Sequence, residues 1–94
     1  MDYYDEWLGK ILDKLARVYD IRIECVWNGN LYAYEITAKL DPFKNSVLIP
    51  FQQIKDYPED YMTLNIEEHV IWPIIRRHKH YLYERRECIK VEGV

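Results

Sequence analysis

The chain opens with apolar residues spaced three and four apart. Tyr3, Trp7, Leu8, Ile11, Leu12, Leu15, Val18 and Tyr19 recur at these steps, while Asp5, Glu6, Lys10, Asp13, Lys14 and Arg17 fill the gaps. A period of about 3.6 puts the first set on one stripe and the second on the other, which predicts an amphipathic helix. Asp2 stands where it can cap the start, and Glu6–Lys10 and Asp13–Arg17 are i,i+4 pairs in the favourable order.

The period then falls to about two. Ile21, Ile23, Cys25 and Trp27 alternate with Arg22, Glu24 and Val26, and from Leu31 to Leu40 the residues Tyr32, Tyr34, Ile36, Ala38 and Leu40 alternate with Ala33, Glu35, Thr37 and Lys39. Between the two runs stands Asn28-Gly29, a pair favoured in tight hairpins because both central residues of such a turn take positive φ. A two-residue loop there predicts Cys25 opposite Tyr32, Ile23 opposite Tyr34 and Ile21 opposite Ile36 on one face, with Arg22 meeting Glu35 on the other. Asp41-Pro42 breaks the second strand, Phe43 to Ser46 reads as a turn, and Val47-Leu48-Ile49 reads as a short third strand closed by Pro50.

Phe51 to Lys55 fits one helical turn before a second breaker at Tyr57-Pro58. Asn65 and Glu68 have the spacing of a capping box and predict the start of a long last helix. On its wheel Ile66, Val70, Ile71, Ile74, Ile75, His78, Tyr81 and Leu82 gather on the side that faces a core. Pro73 either kinks this helix or begins a new one after Trp72, and Cys88 to Val91 fit a fraying helix or a last strand.

These elements combine into one α+β domain over residues 1–94. It has an N-terminal helix, an antiparallel hairpin with a short third strand, and a long C-terminal helix, both helices packing on the Cys25, Tyr34 and Ile36 face. Cys25 belongs to the core in this reading, and the Arg22–Glu35 face is left to solvent or a partner. Free sheet edges leave room for a homodimer, through edge pairing or the final helix.

Composition agrees with a single core. A chain of 94 residues, 49% hydrophobic, with only seven Gly and Pro, is neither collagen-like nor disordered and is too short for two cores. Three Trp, nine Tyr and two Phe exceed what a small core absorbs, so some rings are expected at the surface, where they favour partner binding. Cys25 and Cys88 make neither a disulfide framework nor a zinc pair. The acidic N-terminus lacks the basic region of a signal peptide, and the longest apolar run, Val70 to Ile75, is six residues. The expectation is a cytoplasmic protein with reduced cysteines and no membrane association, a Cys25–Cys88 bridge being the alternative.

Catalytic chemistry is sparse. Ser46 is the sole serine and lacks a nucleophile elbow, and Gly9, Gly29 and Gly93 are too scattered to cradle phosphate. His80 and Glu84 share a helix side with His69 but lack further close ligands, so no metal and no cofactor is expected. Glu67 and Glu68 read as helix N-terminal acids, and Cys88 among Arg85, Arg86 and Lys90 reads as a buried thiol. The chain is read as a non-enzyme.

Charge changes the picture once it is divided. The overall −3 is the sum of −6 from Met1 to Ile75 and +3 from Arg76 to Val94. On the last helix Trp72, Arg76, Lys79 and Tyr83 fall at i, i+4, i+7 and i+11, with His69, His80 and Arg86 flanking. Trp, Tyr and Arg dominate protein interfaces, so this stripe predicts a protein partner that the chain binds and modulates. The alternative is a nucleic-acid or nucleotide binder using Arg76, Arg77, Lys79, Arg85 and Arg86. A purely structural reading has Trp72 and Tyr83 packing on the first helix or on a dimer mate. The acidic body suggests a related idea, competition with nucleic acid for a basic groove on a larger enzyme, as small phage-encoded inhibitors or regulators do.

Overall fold

A computed structural model describes the backbone of residues 2–92 and the side chains of residues 3–85. Helix α1 (Asp2–Tyr19) leads into strands β1 (Arg22–Asn28), β2 (Ala33–Leu40) and β3 (Phe43–Pro50), followed by α2 (Phe51–Asp56), α3 (Glu59–Ile66), a π-helical segment (Glu67–Ile71) and α4 (Trp72–Glu92). The strands form one antiparallel sheet in the order β1-β2-β3, an α+β arrangement with the helices on one face.

Helix α1 buries Leu8, Ile11, Leu12 and Leu15, the middle of its predicted stripe. The ends of the stripe, Tyr3 and Val18, are exposed. Asp20 follows with φ 54°, and the Ile21 N–H reaches back to the Ala16 carbonyl at 3.1 Å. That is a Schellman ending, with Asp20 at the position glycine usually fills.

The hairpin pairs differently from the tight-turn expectation. Cys25 stands opposite Ile36, Ile23 opposite Ala38, Trp27 opposite Tyr34 and Arg22 opposite Lys39. The cause lies in the loop. Asn28 does not enter a tight turn; its Oδ1 accepts the N–H groups of Asn30 and Leu31 at 3.1 and 3.2 Å. Tyr32, not Gly29, takes positive φ (51°), and its carbonyl accepts the Phe51 N–H at 3.1 Å. The connection therefore spans Gly29 to Tyr32. Each β1 residue meets a partner four positions later than a two-residue loop would supply, and an even shift leaves every side chain on its expected face.

Strand β3 is also longer than expected. Phe43 to Ser46 is strand, because the two-residue turn at Asp41-Pro42, whose peptide bond is cis, lets pairing resume at Leu40↔Phe43. Inward rows run Trp27, Tyr34, Ile49; Cys25, Ile36, Val47; and Ile23, Ala38, Asn45. Cys25 sits on this face yet is exposed, which corrects its assignment to the core: β1 is an edge strand, and Cys25 borders an open pocket beside Gly9 of α1.

The last helix starts earlier than its capping box suggests. Asn65 lies inside α3, and the helical path is unbroken from Glu59 to Glu92, so residues 88–91 are helix and not strand. Pro73 neither opens a new helix nor ends the old one. It stands just after the π segment, which widens the turn ahead of its ring. The carbonyl that Pro73 cannot serve belongs to His69, and Asn45 Nδ2 donates to it and to the Val70 carbonyl at 3.1 Å each.

Met62, Ile66, Val70, Ile71 and Ile74 are fully buried against the sheet and α1. Beyond Ile75 the helix passes the end of β3, where Tyr81 packs edge-on to Phe43 at 5.5 Å. Leu82, expected on the core side, is 49% exposed. The molecule is accordingly elongated, 58 × 26 × 16 Å. No described helix is long and apolar enough to cross a membrane.

Candidate functional site

The predicted stripe begins at the π segment, with Trp72 as the first residue of α4. Its indole Nε1–H donates to the Tyr19 hydroxyl at 3.0 Å, and that hydroxyl donates to the Glu67 carboxylate. The Glu67 bond raises the Tyr19 phenol above its ordinary value, while the indole N–H works the other way. This chain ties the end of α1 to the root of α4. Trp72 thus carries a structural contact, in part as the packing reading supposed, and keeps an exposed surface.

Arg76, Lys79 and Tyr83 continue the line; Arg76 and Lys79 are exposed, and Tyr83 is 61% exposed. The Arg86 side chain lies outside the described residues. Trp72, Arg76, Lys79 and Tyr83 are brought together as one edge of the helix.

The alternative basic set is divided. The Arg77 guanidinium lies 5.0 Å from the Phe43 ring, and Arg85 lies 5.6 Å from the Tyr81 ring and donates to its hydroxyl at 3.2 Å. Both therefore lean toward the sheet side of the helix, about 100° or more around it from Arg76 and Lys79. They do not form one surface with those residues.

Elsewhere on α4, His80 Nε2 and Glu84 Oε1 are 3.0 Å apart and both residues are exposed. Among the described residues no three His, Cys, Asp or Glu side chains gather to hold a metal ion. Ser46 is exposed on the solvent face of the sheet, 2.8 Å from the Thr37 hydroxyl. Cys88 lies outside the described side chains.

Two features went unread in the sequence. On the solvent face, Arg22, Lys39 and Lys44 stand in one row across all three strands, although like charges directly opposite repel. Lys39 is relieved by Glu24 at 3.1 Å. A cleft of about 740 Å³ adjoins the row, lined by Asp20, Ile21, Arg22, Lys39, Leu40, Asp41 and His78. Only the corrected register brings Arg22 and Lys39 together, so the tight-turn reading hid the row.

The second feature is an aromatic cluster around Trp27. Its ring meets Tyr34, Tyr32 and Phe51 edge-on at centroid distances of 4.8, 5.3 and 5.9 Å, and Phe51 in turn meets Tyr4 at 5.2 Å. Beside it Asp5, Gly9, Cys25, Trp27 and Tyr34 line a pocket of about 250 Å³. Tyr34 is 2% exposed and donates its hydroxyl to the Asp5 carboxylate. Burial first, and then the Asp5 bond, hold the Tyr34 phenol well above its usual range. Desolvation where Cys25 borders the pocket, and then the Asp5 charge, push its thiol up to about 11. Both groups stay protonated at neutral pH, so Cys25 is a poor nucleophile. The density of Tyr near positions 3–4 and 32–34 was the available signal for this cluster.

Comparison with family models, curated proteins and solved structures yields no match. The functional argument therefore rests on the side chains themselves.

Proposed function

We propose that the protein is a non-enzymatic interaction protein that docks on a larger protein through the edge of α4 and thereby modulates it. The observation that carries this reading is the exposed line Arg76, Lys79, Tyr83, led by a Trp72 indole already fixed by Tyr19. A rigid helix presenting Trp, Tyr and Arg suits insertion into a groove of the partner, because little side-chain entropy remains to be lost at its root. Its charge favours an acidic groove; the related inhibitor idea, an acidic body that blocks the basic groove of a nucleic-acid enzyme as phage-encoded regulators do, uses a different surface.

The test replaces Trp72, Arg76 and Tyr83 by Ala, singly and together. The expected outcome is loss of partner capture from host lysate, with Arg76→Ala and Tyr83→Ala leaving the thermal midpoint within about 2 °C of the parent. A large drop in stability from Arg76→Ala or Tyr83→Ala would assign the stripe to packing instead.

A nucleic-acid reading has one observation in its favour, the Arg22–Lys39–Lys44 row across the solvent face of the sheet. Filter binding with labelled DNA, RNA and nucleotides tests it across a salt series. Phosphate binding weakens steeply with salt, whereas a Trp- and Tyr-anchored protein interface responds far less.

A further inference from the structure

The pocket beside Trp27 is built from unusual parts for a structural void. Gly9 sits in the interior of α1, where glycine costs about 1 kcal/mol relative to Ala, and a Cβ added there would meet nothing within 4 Å. Core packing does not require the glycine. Its missing side chain leaves one wall of the pocket open, and a larger residue would project toward that space.

The remaining walls decide what would be accepted. Among the described residues Asp5 supplies the only formal charge in the lining, which holds no Lys, Arg or His. Half-buried Trp27 supplies the aromatic ring a ligand can reach, and Tyr34, 2% exposed and packed against it at 4.8 Å, forms the wall behind. Asp5 receives one hydrogen bond, from Tyr34, and a carboxylate has room for more. A carboxylate beside an indole is a combination that attracts organic cations, through ionic and cation–π attraction together. An anion would find no cationic partner among the described lining residues. A drug-sized apolar ligand would not fit a volume near 250 Å³, whereas a headgroup of a few heavy atoms would.

We propose that the Asp5–Gly9–Trp27–Tyr34 pocket is a binding site for an organic ammonium group, either a free alkylamine or a lysine side chain of a peptide. It involves no residue of α4 and does not depend on the docking role given to that helix.

The experiment follows the Trp27 indole N–H resonance of the full chain during titration with tetramethylammonium chloride, methylammonium chloride and Nα-acetyl-lysine N-methylamide, whose side-chain ammonium is free. Sodium chloride at matched ionic strength and neutral tert-butanol are the controls. Saturable displacement by the ammonium probes, absent with both controls, is the expected result. Asp5→Asn, which still offers Tyr34 an acceptor, should weaken binding about tenfold through loss of the charge. Gly9→Leu should abolish binding by filling the space, with Gly9→Ala as the fold control carrying the smallest added group. Tighter binding of the lysine derivative than of methylammonium assigns the site to a peptide side chain, and the reverse order assigns it to a free amine. The proposal is overturned if no probe saturates, if tert-butanol displaces the resonance equally, or if Asp5→Asn binds as tightly as the parent.

Discussion

The side-chain amide of Asn45 occupies the His69 carbonyl that Pro73 leaves without a donor, one strand residue repairing a gap in a helix far along the chain. The same amide also serves Val70, at the π turn. Asn45→Ala is therefore expected to cost on the order of 1 kcal/mol, the usual range for a hydrogen bond whose removal leaves carbonyls unpaired. In a Pro73→Ala background, where residue 73 regains its N–H, the cost of Asn45→Ala should shrink. Urea unfolding of the four proteins in this cycle measures the coupling. Additive costs would show that Asn45 and Pro73 are unrelated.

Two positions reward an exchange involving glycine, in opposite directions. Asp20 is exposed at φ 54°, so Asp20→Gly should stabilise the α1 ending by about 0.5–1 kcal/mol. Gly9 is helical with open space at its Cβ, so Gly9→Ala should stabilise by up to about 1 kcal/mol. Thermal unfolding checks both. A loss of stability from Gly9→Ala would reveal packing against that site.

Cys25 is exposed yet has its thiol pushed up to about 11. Stability linked to the protonated thiol is complete below its unfolded value near 9 and is lost as pH rises through 11. Tyr34, raised as well, adds a loss that begins above about pH 10. Urea midpoints in a Cys88→Ser background should therefore fall from pH 9 upward, and Cys25→Ala should flatten the part between 9 and 11. At pH 8 iodoacetamide should modify Cys25 roughly tenfold more slowly than an unperturbed thiol, the smaller thiolate fraction being partly offset by higher nucleophilicity.

Tyr19→Phe removes the acceptor of the Trp72 indole and the donor to Glu67 together. These bonds lie near the surface, so the stability cost should stay below about 1 kcal/mol. The indole N–H resonance of Trp72 should move and its exchange with water should quicken. If α4 docks as proposed, partner affinity falls as well, because an unfixed indole must be ordered on binding.

Much of the architecture was legible because side-chain period survives local error. Leu8, Ile11, Leu12 and Leu15 follow the helical repeat, and Tyr34, Ile36 and Ala38 follow the strand alternation, so both faces emerged correctly. What was misread depended on single side chains whose role is set by tertiary context. Asn28 closes its loop with its side-chain Oδ1, so Asn-Gly does not make a tight turn. Asn65 resembled a cap because nothing local to it reveals that the helix already began after Pro58. The stripe on α4 was visible as spacing, whereas the Trp27 pocket joins residues from α1, β1 and β2 that only folding unites.

The four-residue loop from Gly29 to Tyr32 also bears on how such a chain can change length. A register slip of two residues alters which side chains face each other across the ladder but preserves inside and outside, whereas a slip of one exchanges them for an entire strand. Insertions and deletions that shift the register of this hairpin should thus be tolerated in pairs and rejected singly, a counting rule that a length library selected for solubility would expose.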